Sequence, residues 1–432
     1  MKILFLNYTN TEGGAAIAST RLSTALIKNY YNVKIGVLKG TNDTLNVINL
    51  IKKSNFDQIL FFKLVRKLYE KCIHYLKKLF KKKIQTSNII IHSENKKTLI
   101  NLDIINNSDF DLVHFHWINN DMISIEDIAK IKKPIVWTIH DSWVFCGAEH
   151  HPNVLENDTR YIHGYLKENK PKTTCGTDVC RKTWERKKKS WKNIQFNFIS
   201  PSNFEKIALY ESALFKNSSS NCTVIPNFIP GNIFRPMDKQ KLKEIYQIPS
   251  SKKAIGFGAA YKVTNKKSIK GEYLLIETLK KFPNKSNYHL VIFGKADNTI
   301  LNDIDLPVFA TGFISNPQIL ASVYNLCDVF VCPSLIENLP NVCLESLFCG
   351  VPVTAFNTGG IPDIVEHKKT GYLSECFNTD DLYNGILYCI NNYEELSKKS
   401  LIKANKEFNE NEIIKRHIEL YESVLKNKGQ LI

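Results

Sequence analysis

No apolar run in this 432-residue chain approaches the ~18 residues of a membrane-spanning helix. The first run, Ile3-Leu4-Phe5-Leu6, stops at Asn7, too short for the apolar region of a secretory leader. A cytoplasmic protein is therefore expected. The 11 cysteines form no Cys-x-x-Cys pair, so the usual half-site for zinc is missing. Their number is odd, and Cys327, Cys332, Cys343 and Cys349 sit inside apolar runs. They read as small reduced core residues rather than a disulfide framework. No complete Gly-x-Gly-x-x-Gly occurs, which argues against a dinucleotide fingerprint. Acidic residues are in deficit, with 42 Asp+Glu against 58 Lys+Arg and a net charge of +16. That excess implies an anionic partner, whether nucleic acid, acidic lipid or a phosphorylated ligand. The 43% hydrophobic and 23% charged fractions exclude a disordered, collagen-like or fibrous chain.

What is present is an alternation of short apolar runs with helical patterns. Expected strands in the first half are Lys2–Asn7, Val33–Leu38, Asn88–Ile91, Leu112–His116, Ile135–Ile139, Phe196–Ser200 and Cys222–Ile225. In the second half they are Ala254–Gly258, His289–Phe293, Val308–Thr311, Val329–Cys332 and Val353–Phe356. Continuous Val/Ile/Leu/Phe runs of this kind suit parallel strands buried on both faces and covered by helices. Twelve strands exceed one ordinary sheet, so two doubly wound α/β domains are expected. Pro226, Pro230, Pro236 and Pro249, with Asn227, Gly231 and Asn232, mark the boundary. The expected division is an N-terminal domain over 1–230, a linker over 231–249, a C-terminal domain over 250–405 and a terminal helix in 406–432. In that helix Ile413, Ile414, His417, Ile418, Tyr421 and Val424 recur at spacings of three and four.

Two segments interrupt the alternation. Residues 57–83 carry a broad apolar stripe with nine Lys/Arg against Asp57 and Glu70. Such a helix can lie on an anionic membrane, or pack on its own sheet with a solvated lysine face. Residues 146–191 form a basic loop-rich insertion holding Cys146, His150, His151, His163, Cys175 and Cys180. Cysteine with histidine raises zinc, but Cys175 and Cys180 are five apart, and an acceptor-side loop with buried cysteines is the expectation.

Several motifs carry chemistry. Gly13-Gly14 follows the first strand and opens a helix, where backbone N–H groups can approach a ligand. His114, His116 and His140 stand at C-terminal strand ends, the edge where open α/β sheets bind ligands. His140-Asp141 reads as an acid/base or a hydrogen-bonding pair for a hydroxyl, and His114 and His116 as structural. Lys270-Gly271 opens a helix, a position suited to a diphosphate. Glu337 precedes Pro340-Asn341, a helix start, and Glu345 falls on that helix, which Gly350 stops. A loop carboxylate and a helix carboxylate can grip different parts of one polyol ligand.

The Glu337-x7-Glu345 pair between "VCPS" and "CGVPVTAFNTGGIPDIVEHKKTGYL" resembles the retaining, nucleotide-sugar-dependent glycosyltransferases of family 4. The resemblance extends to Gly13-Gly14, His140-Asp141, "SPSNF" at Ser200–Phe204, "VIPNFI" at Val224–Ile229, Lys270-Gly271, "TGFI" at Thr311–Ile314 and "CDVFVCPS" at Cys327–Ser334. It implies the GT-B fold, two Rossmann-like domains facing across a cleft. Members that build bacterial capsule, O-antigen or exopolysaccharide are the most similar. The resemblance places Glu345 on the donor ribose, Glu337 on the donor sugar and Lys270 on the diphosphate, and it maps the N-terminal catalytic histidine to His140. Asn338, Leu339, Pro340 and Asn341 would line the donor, with Gly258, Lys267 and Gly312. Gly13, Gly14 and Asp141 would form the acceptor and phosphate loop. Pro340 has no N–H, so one backbone contact of the family does not transfer. The family's arginine five residues before the lysine is Asn265 here, with Lys262, Lys266 or Lys267 as substitutes.

The implied reaction is retaining sugar transfer from a UDP- or GDP-linked donor to a lipid-linked saccharide, with no metal and no other cofactor. Asp109-x-Asp111 and Asp303-x-Asp305 match the metal motif of the other glycosyltransferase fold, but by chance, since Asp111 opens a strand and Asp303 and Asp305 fall in a polar loop. A peripheral position on the inner face of the membrane would account for the basic charge. A GT-B epimerase is the alternative. A non-enzymatic membrane- or nucleic-acid-binding protein is a further one, although no nucleic-acid motif occurs.

Overall fold

A computed structural model describes residues 1–40, 46–50, 91–174, 176–259, 268–294 and 305–427. The basic segment 57–83, the first three residues of the strand expected at 88–91, Cys175, Lys262, Asn265, Lys266, Lys267 and Asp303 lie outside them.

The first sheet is built from β1 (Lys2–Leu6), β2 (Asn32–Val37), β3 (Val47–Asn49), β4 (Leu112–Phe115), β5 (Ile135–Thr138), β6 (Asn197–Ser200) and β7 (Asn221–Val224). Its order is β3-β2-β1-β4-β5-β6-β7. The second contains β8 (Lys253–Ala259), β9 (Tyr288–Gly294), β10 (Val308–Ala310), β11 (Val329–Cys332), β12 (Val353–Phe356) and β13 (Gly371–Ser374), in the order β10-β9-β8-β11-β12-β13. Every pairing is parallel, for example Leu4 opposite Val113 and Val331 opposite Phe257. The central strands β4, β5, β11 and β12 are buried along their whole length, as the apolar runs require.

Both sheets share one design. Their order reverses beside the first strand, between β1 and β4 and again between β8 and β11. Loops that leave these strands diverge there and open a crevice. Asn7, His116, Ile139 and Ile225, expected inside strands, fall just past the last ladder residue. They begin the loops that build the crevice.

Two strands escape the sequence reading. β3 is only Val-Ile-Asn, and β13 begins at Gly371, where a Cβ would lie 2.0 Å from the Val353 carbonyl oxygen. Ile91 is described and is not part of a strand, although His92 makes an isolated antiparallel bridge to Glu149.

Helices cover the sheets. α1 (Gly14–Lys28) follows β1, α2 (Val179–Ser190) and α3 (Asn203–Glu211) flank β6, and α4 (Lys239–Ile245) precedes β8. α5 (Glu272–Leu279), α6 (Pro317–Asn325), α7 (Asn341–Phe348), α8 (Thr379–Asn391), α9 (Tyr393–Glu407) and α10 (Glu410–Asn427) complete the set used below. The stretch expected as a linker thus carries α4. Asp238 caps it, and Lys239 and Lys243 reach the buried Asp328 carboxylate, which also accepts from the Ala254 N–H. α10 buries Ile413, Ile414, His417, Tyr421, Val424 and Leu425. It lies on the first sheet's side, where the Tyr421 hydroxyl meets His114 Nδ1 at 2.8 Å and Arg416 donates to the Val224 carbonyl. Eight of the nine cysteines described as free thiols are buried.

Candidate active site

The loop after β11 carries Glu337 into the crevice of the second sheet. Lys270 Nζ lies 2.5 Å from Glu337 Oε1, and the Ser334 hydroxyl donates to the same oxygen at 2.9 Å. Backbone packing fixes this pair. A Cβ on Gly271 would lie 1.8 Å from the Pro333 carbonyl oxygen, and Gly271 has φ +67°, so only glycine lets the α5 start approach the loop. On the other side Thr358-Gly359-Gly360 grips the loop. The Gly360 N–H donates to the Glu337 carbonyl at 2.9 Å, and the Thr358 hydroxyl donates to the Leu335 carbonyl at 2.9 Å.

Pro340 is the N-cap residue of α7 and offers no side-chain cap, so the positive end of the helix is left facing the crevice. Glu345, one turn along, is buried. Its Oε1 accepts from Arg21 Nη2 at 2.7 Å and its Oε2 from the Tyr324 hydroxyl at 2.9 Å. Each oxygen keeps a second lone pair for a ligand hydroxyl.

The N-terminal domain closes the other wall. Asn338 Nδ2 donates to the Ile139 carbonyl at 2.8 Å, and its Oδ1 accepts from the Ser202 hydroxyl at 2.6 Å. Asn341 accepts from Asn227 Nδ2 at 3.1 Å and reaches the Gly14 carbonyl at 3.4 Å. His140 Nε2 is 2.9 Å from His116 Nδ1, with the rings stacked. Burial pushes His140 down to about 4 despite the neighbouring Asp141 charge, so the imidazole is neutral at pH 7. Burial would raise the Asp141 carboxyl, but His150, His151 and the Trp143 N–H outweigh it and hold it at about 2. Asp141 Oδ2 accepts from His150 Nδ1 at 2.6 Å and from Trp117 Nε1 at 3.0 Å. Burial lowers His151, with Asp141 and Glu337 acting against it and Lys270 acting with it. His151 therefore stands within electrostatic reach of both walls.

Behind His140 lies a cavity of about 20 Å³ lined by residues including Ala18, His116, Thr138, Asn227 and His417. It has room for one water. Among the described residues, the buried His116 Nε2 has no hydrogen-bond partner.

Of the residues expected in the site, Lys270, Glu337, Asn338, Asn341, Gly14, Asp141, His140 and Glu345 line or bridge the two walls. Leu339 is buried in the apolar core. Gly13 supplies the positive-φ turn before α1. Gly258 and Gly312 make other contacts: a Cβ on Gly258 would press on the Phe293 ring at 2.8 Å, and the Gly312 carbonyl accepts from the Gly294 N–H. Asp109 and Asp111 bind the side chain and the N–H of Lys2, and Asp305 pairs with Lys285. Arg21, Tyr324, Ser202 and Ser334 were not foreseen as site residues. Arg21 had one signal, as the only charge between Glu12 and Lys28 on an otherwise apolar and small-residue helix.

Two parallel sheets of one strand order, with a polar crevice at their switch points, define a two-domain α/β protein with its crevice between the halves. Residues 238–408 match the family model described as glycosyl transferases group 1. An uncharacterized glycosyltransferase of Haemophilus influenzae is 31% identical over 134 residues, 29% of this chain and 37% of that protein. N-acetyl-alpha-D-glucosaminyl L-malate synthase of Bacillus anthracis is 23% identical over 211 residues, 46% of this chain and 53% of that protein. These matches span between about a third and about half the length of the curated relatives. HepE of Anabaena, solved in complex with UDP and glucose, matches with a TM-score of 0.63 at 16% identity, over 98% of this chain and 100% of that one. The chain has the GT-B fold, and its residues 238–408 are similar to the group 1 glycosyl transferases.

Proposed function

We propose that the protein is a retaining glycosyltransferase that moves a sugar from a nucleotide-linked donor to a saccharide acceptor without a metal. The observation that carries this reading is the Lys270–Glu337 pair at the second switch point, beside the start of α7, with Glu345 on the same helix. Lys270 and the first N–H groups of α7 meet the diphosphate and stabilise its charge as it leaves. Glu337 accepts from hydroxyls of the donor sugar, and Glu345 from those of the ribose. The bond from the anomeric carbon to the diphosphate oxygen breaks, and the acceptor oxygen bonds to that carbon on the same face. The acceptor proton passes to the departing diphosphate. His140, neutral at pH 7, holds a hydroxyl in place rather than acting as a charged acid.

The finer parts of the reading are a UDP- or GDP-linked donor, a lipid-linked acceptor in surface-polysaccharide synthesis, and a peripheral place on the inner membrane face. The net charge of +16 supports an anionic acceptor or surface. Among the described residues, no helix is long and apolar enough to cross a membrane.

Thermal-shift binding against UDP, GDP, ADP and their sugars tests the reading. A ligand at 100 times its Kd stabilises the fold by about 2.7 kcal/mol. We expect one nucleotide to raise the midpoint and Glu345→Ala to abolish the rise. The absence of any nucleotide effect, or conversion of the donor to an isomer without acceptor, would overturn it.

A further inference from the structure

Outside the crevice, one cluster where the 146–191 insertion meets the 91–93 segment is not used by the proposed reaction. His92, Glu149 and Cys180 each offer one ligand atom, and the three atoms lie within 4.8 Å of one another. They come from separate places in the chain. His92 and Glu149 face each other in an antiparallel bridge, supported by Ser93 N–H donating to the Ala148 carbonyl at 2.7 Å. Cys180 is the second residue of α2, whose start is capped by Asp178. The chain around Gly147 presses onto it, since a Cβ there would lie 2.5 Å from the Cys180 carbonyl oxygen.

Hydrogen bonding is incomplete where these side chains meet. Glu149 is 1% exposed and Cys180 3%. Glu149 Oε1 accepts from the Tyr165 hydroxyl and the Cys180 thiol interacts with the same carboxylate, but among the described residues neither Glu149 Oε2 nor the buried His92 Nε2 has a conventional hydrogen-bond partner. A buried carboxylate oxygen and a buried ring nitrogen left unpaired are costly, and native proteins leave few such groups. A cation between them removes both deficits at once. One imidazole nitrogen, one thiolate and one carboxylate, two of them from buried residues, form a donor set that suits zinc better than calcium or magnesium. Tyr165 then holds the ligating carboxylate in orientation, as outer-shell partners of metal ligands do.

We propose that His92, Glu149 and Cys180 bind a divalent cation of the zinc class, with its fourth position filled by an exogenous donor. The site is structural. It ties the 91–93 segment, the loop after β5 and the first turn of α2 together. α2 in turn buries Lys187, which donates to the Trp143, Cys146 and Gly147 carbonyls of the same loop. That loop carries His150 and His151 to Asp141 and the crevice. The proposal stands apart from the transferase reading, which needs no metal at the transferred sugar. It replaces the expectation of a metal-free insertion, which rested on the missing Cys-x-x-Cys pair. His92 lies outside the insertion and Glu149 is neither cysteine nor histidine, so spacing could not reveal them.

Tag-free full-length protein expressed with added zinc should carry one equivalent by elemental analysis. After removal by a chelator, Co2+ should restore one equivalent with a thiolate-to-cobalt band in the near ultraviolet and tetrahedral bands in the visible. Cys180→Ser should lose the near-ultraviolet band, and His92→Ala should weaken zinc binding by more than about tenfold. His163→Ala, in the same insertion, should change neither. Should Cys180→Ser fail to fold, the wild-type metal content and cobalt spectrum still decide. Metal-free wild type that gives no cobalt spectrum, or a near-ultraviolet band that survives Cys180→Ser, would overturn the proposal.

Discussion

At the scale of single residues, histidines in and behind the crevice contribute to the pH response. His114 and His116 are lowered well below their ordinary value by burial, with His417 and His140 as further positive neighbours. Burial also pushes His140 and His417 down to about 4, and for His417 its hydrogen bond to the Ile413 carbonyl only partly resists this. The folded protein thus refuses protons that the unfolded chain accepts below about pH 6.5. The stability that these histidines contribute is complete above that value and falls as pH drops from about 6.5 toward about 4. Glu205, raised to about 8 by burial, acts in the opposite sense over part of the same window. His417 is the cleanest probe, being 4% exposed and carried by α10 rather than by a crevice loop. We expect the stability advantage of the wild type over His417→Gln, read by urea unfolding, to shrink as pH falls from about 7 to about 4.5, because only the wild type loses the His417 contribution. A slope unchanged by the substitution would mean that His417 titrates alike in both states.

At the scale of elements, the loop that presents Glu337 is shaped by glycine rather than by its own residues. A Cβ on Gly359, where φ is +58°, would lie 2.0 Å from the Glu337 carbonyl oxygen. One on Gly360 would lie 1.8 Å from the Asn338 carbonyl oxygen and 2.6 Å from Ser202 Cβ. These neighbours are mainly backbone and cannot swing aside. Gly360→Ala should cost about 1–3 kcal/mol in chemical denaturation. It should also abolish nucleotide stabilisation in thermal shift, because the loop must move to relieve the clash. Wild-type nucleotide binding in this variant would show that the loop geometry is not needed.

The same elements show what was legible. The twin glycines and the Glu337-x7-Glu345 spacing read directly, because strand, turn and helix signals are local. Buried strands such as Val329–Cys332 read as continuous apolar runs. β3 and β13 did not, since three or four residues with one polar or glycine end carry no periodicity. Prolines at 226–249 masked α4, whose Lys-Gln-Lys-Leu-Lys-Glu-Ile sequence earns its place by pairing with Asp328 rather than by an apolar stripe. Arg21 on Glu345 and Ser202 on Asn338 join residues more than 130 positions apart, a relation that no local pattern encodes.

At the scale of the whole molecule, the two domains are joined in two different ways. On one side the core is continuous: Ile3, Leu26 and Ile199 of the first domain share a cluster with Leu344 and Phe348 of α7 and with Ile413, Tyr421 and Leu425 of α10. Burial of that kind is not easily undone. Across the crevice the joints are polar: Arg21 to Glu345, Asn338 to Ser202 and the Ile139 carbonyl, and Asn203 to Asp363. Polar interdomain contacts permit relative motion by default. They also occupy Asn338 and Glu345, two of the residues expected to meet the donor, so under the proposed function donor entry requires these joints to yield. Arg21→Met combined with Asn338→Ala removes three of them while leaving the apolar side intact. A compact chain of 432 residues has a radius of gyration of roughly 22 Å. We expect the double variant to exceed the wild type in small-angle scattering and to release nucleotide faster. Both effects should exceed those of either single change, because each joint limits the opening that the other allows. An unchanged radius would assign closure to the apolar side alone, and the crevice contacts would then follow from closure rather than hold it.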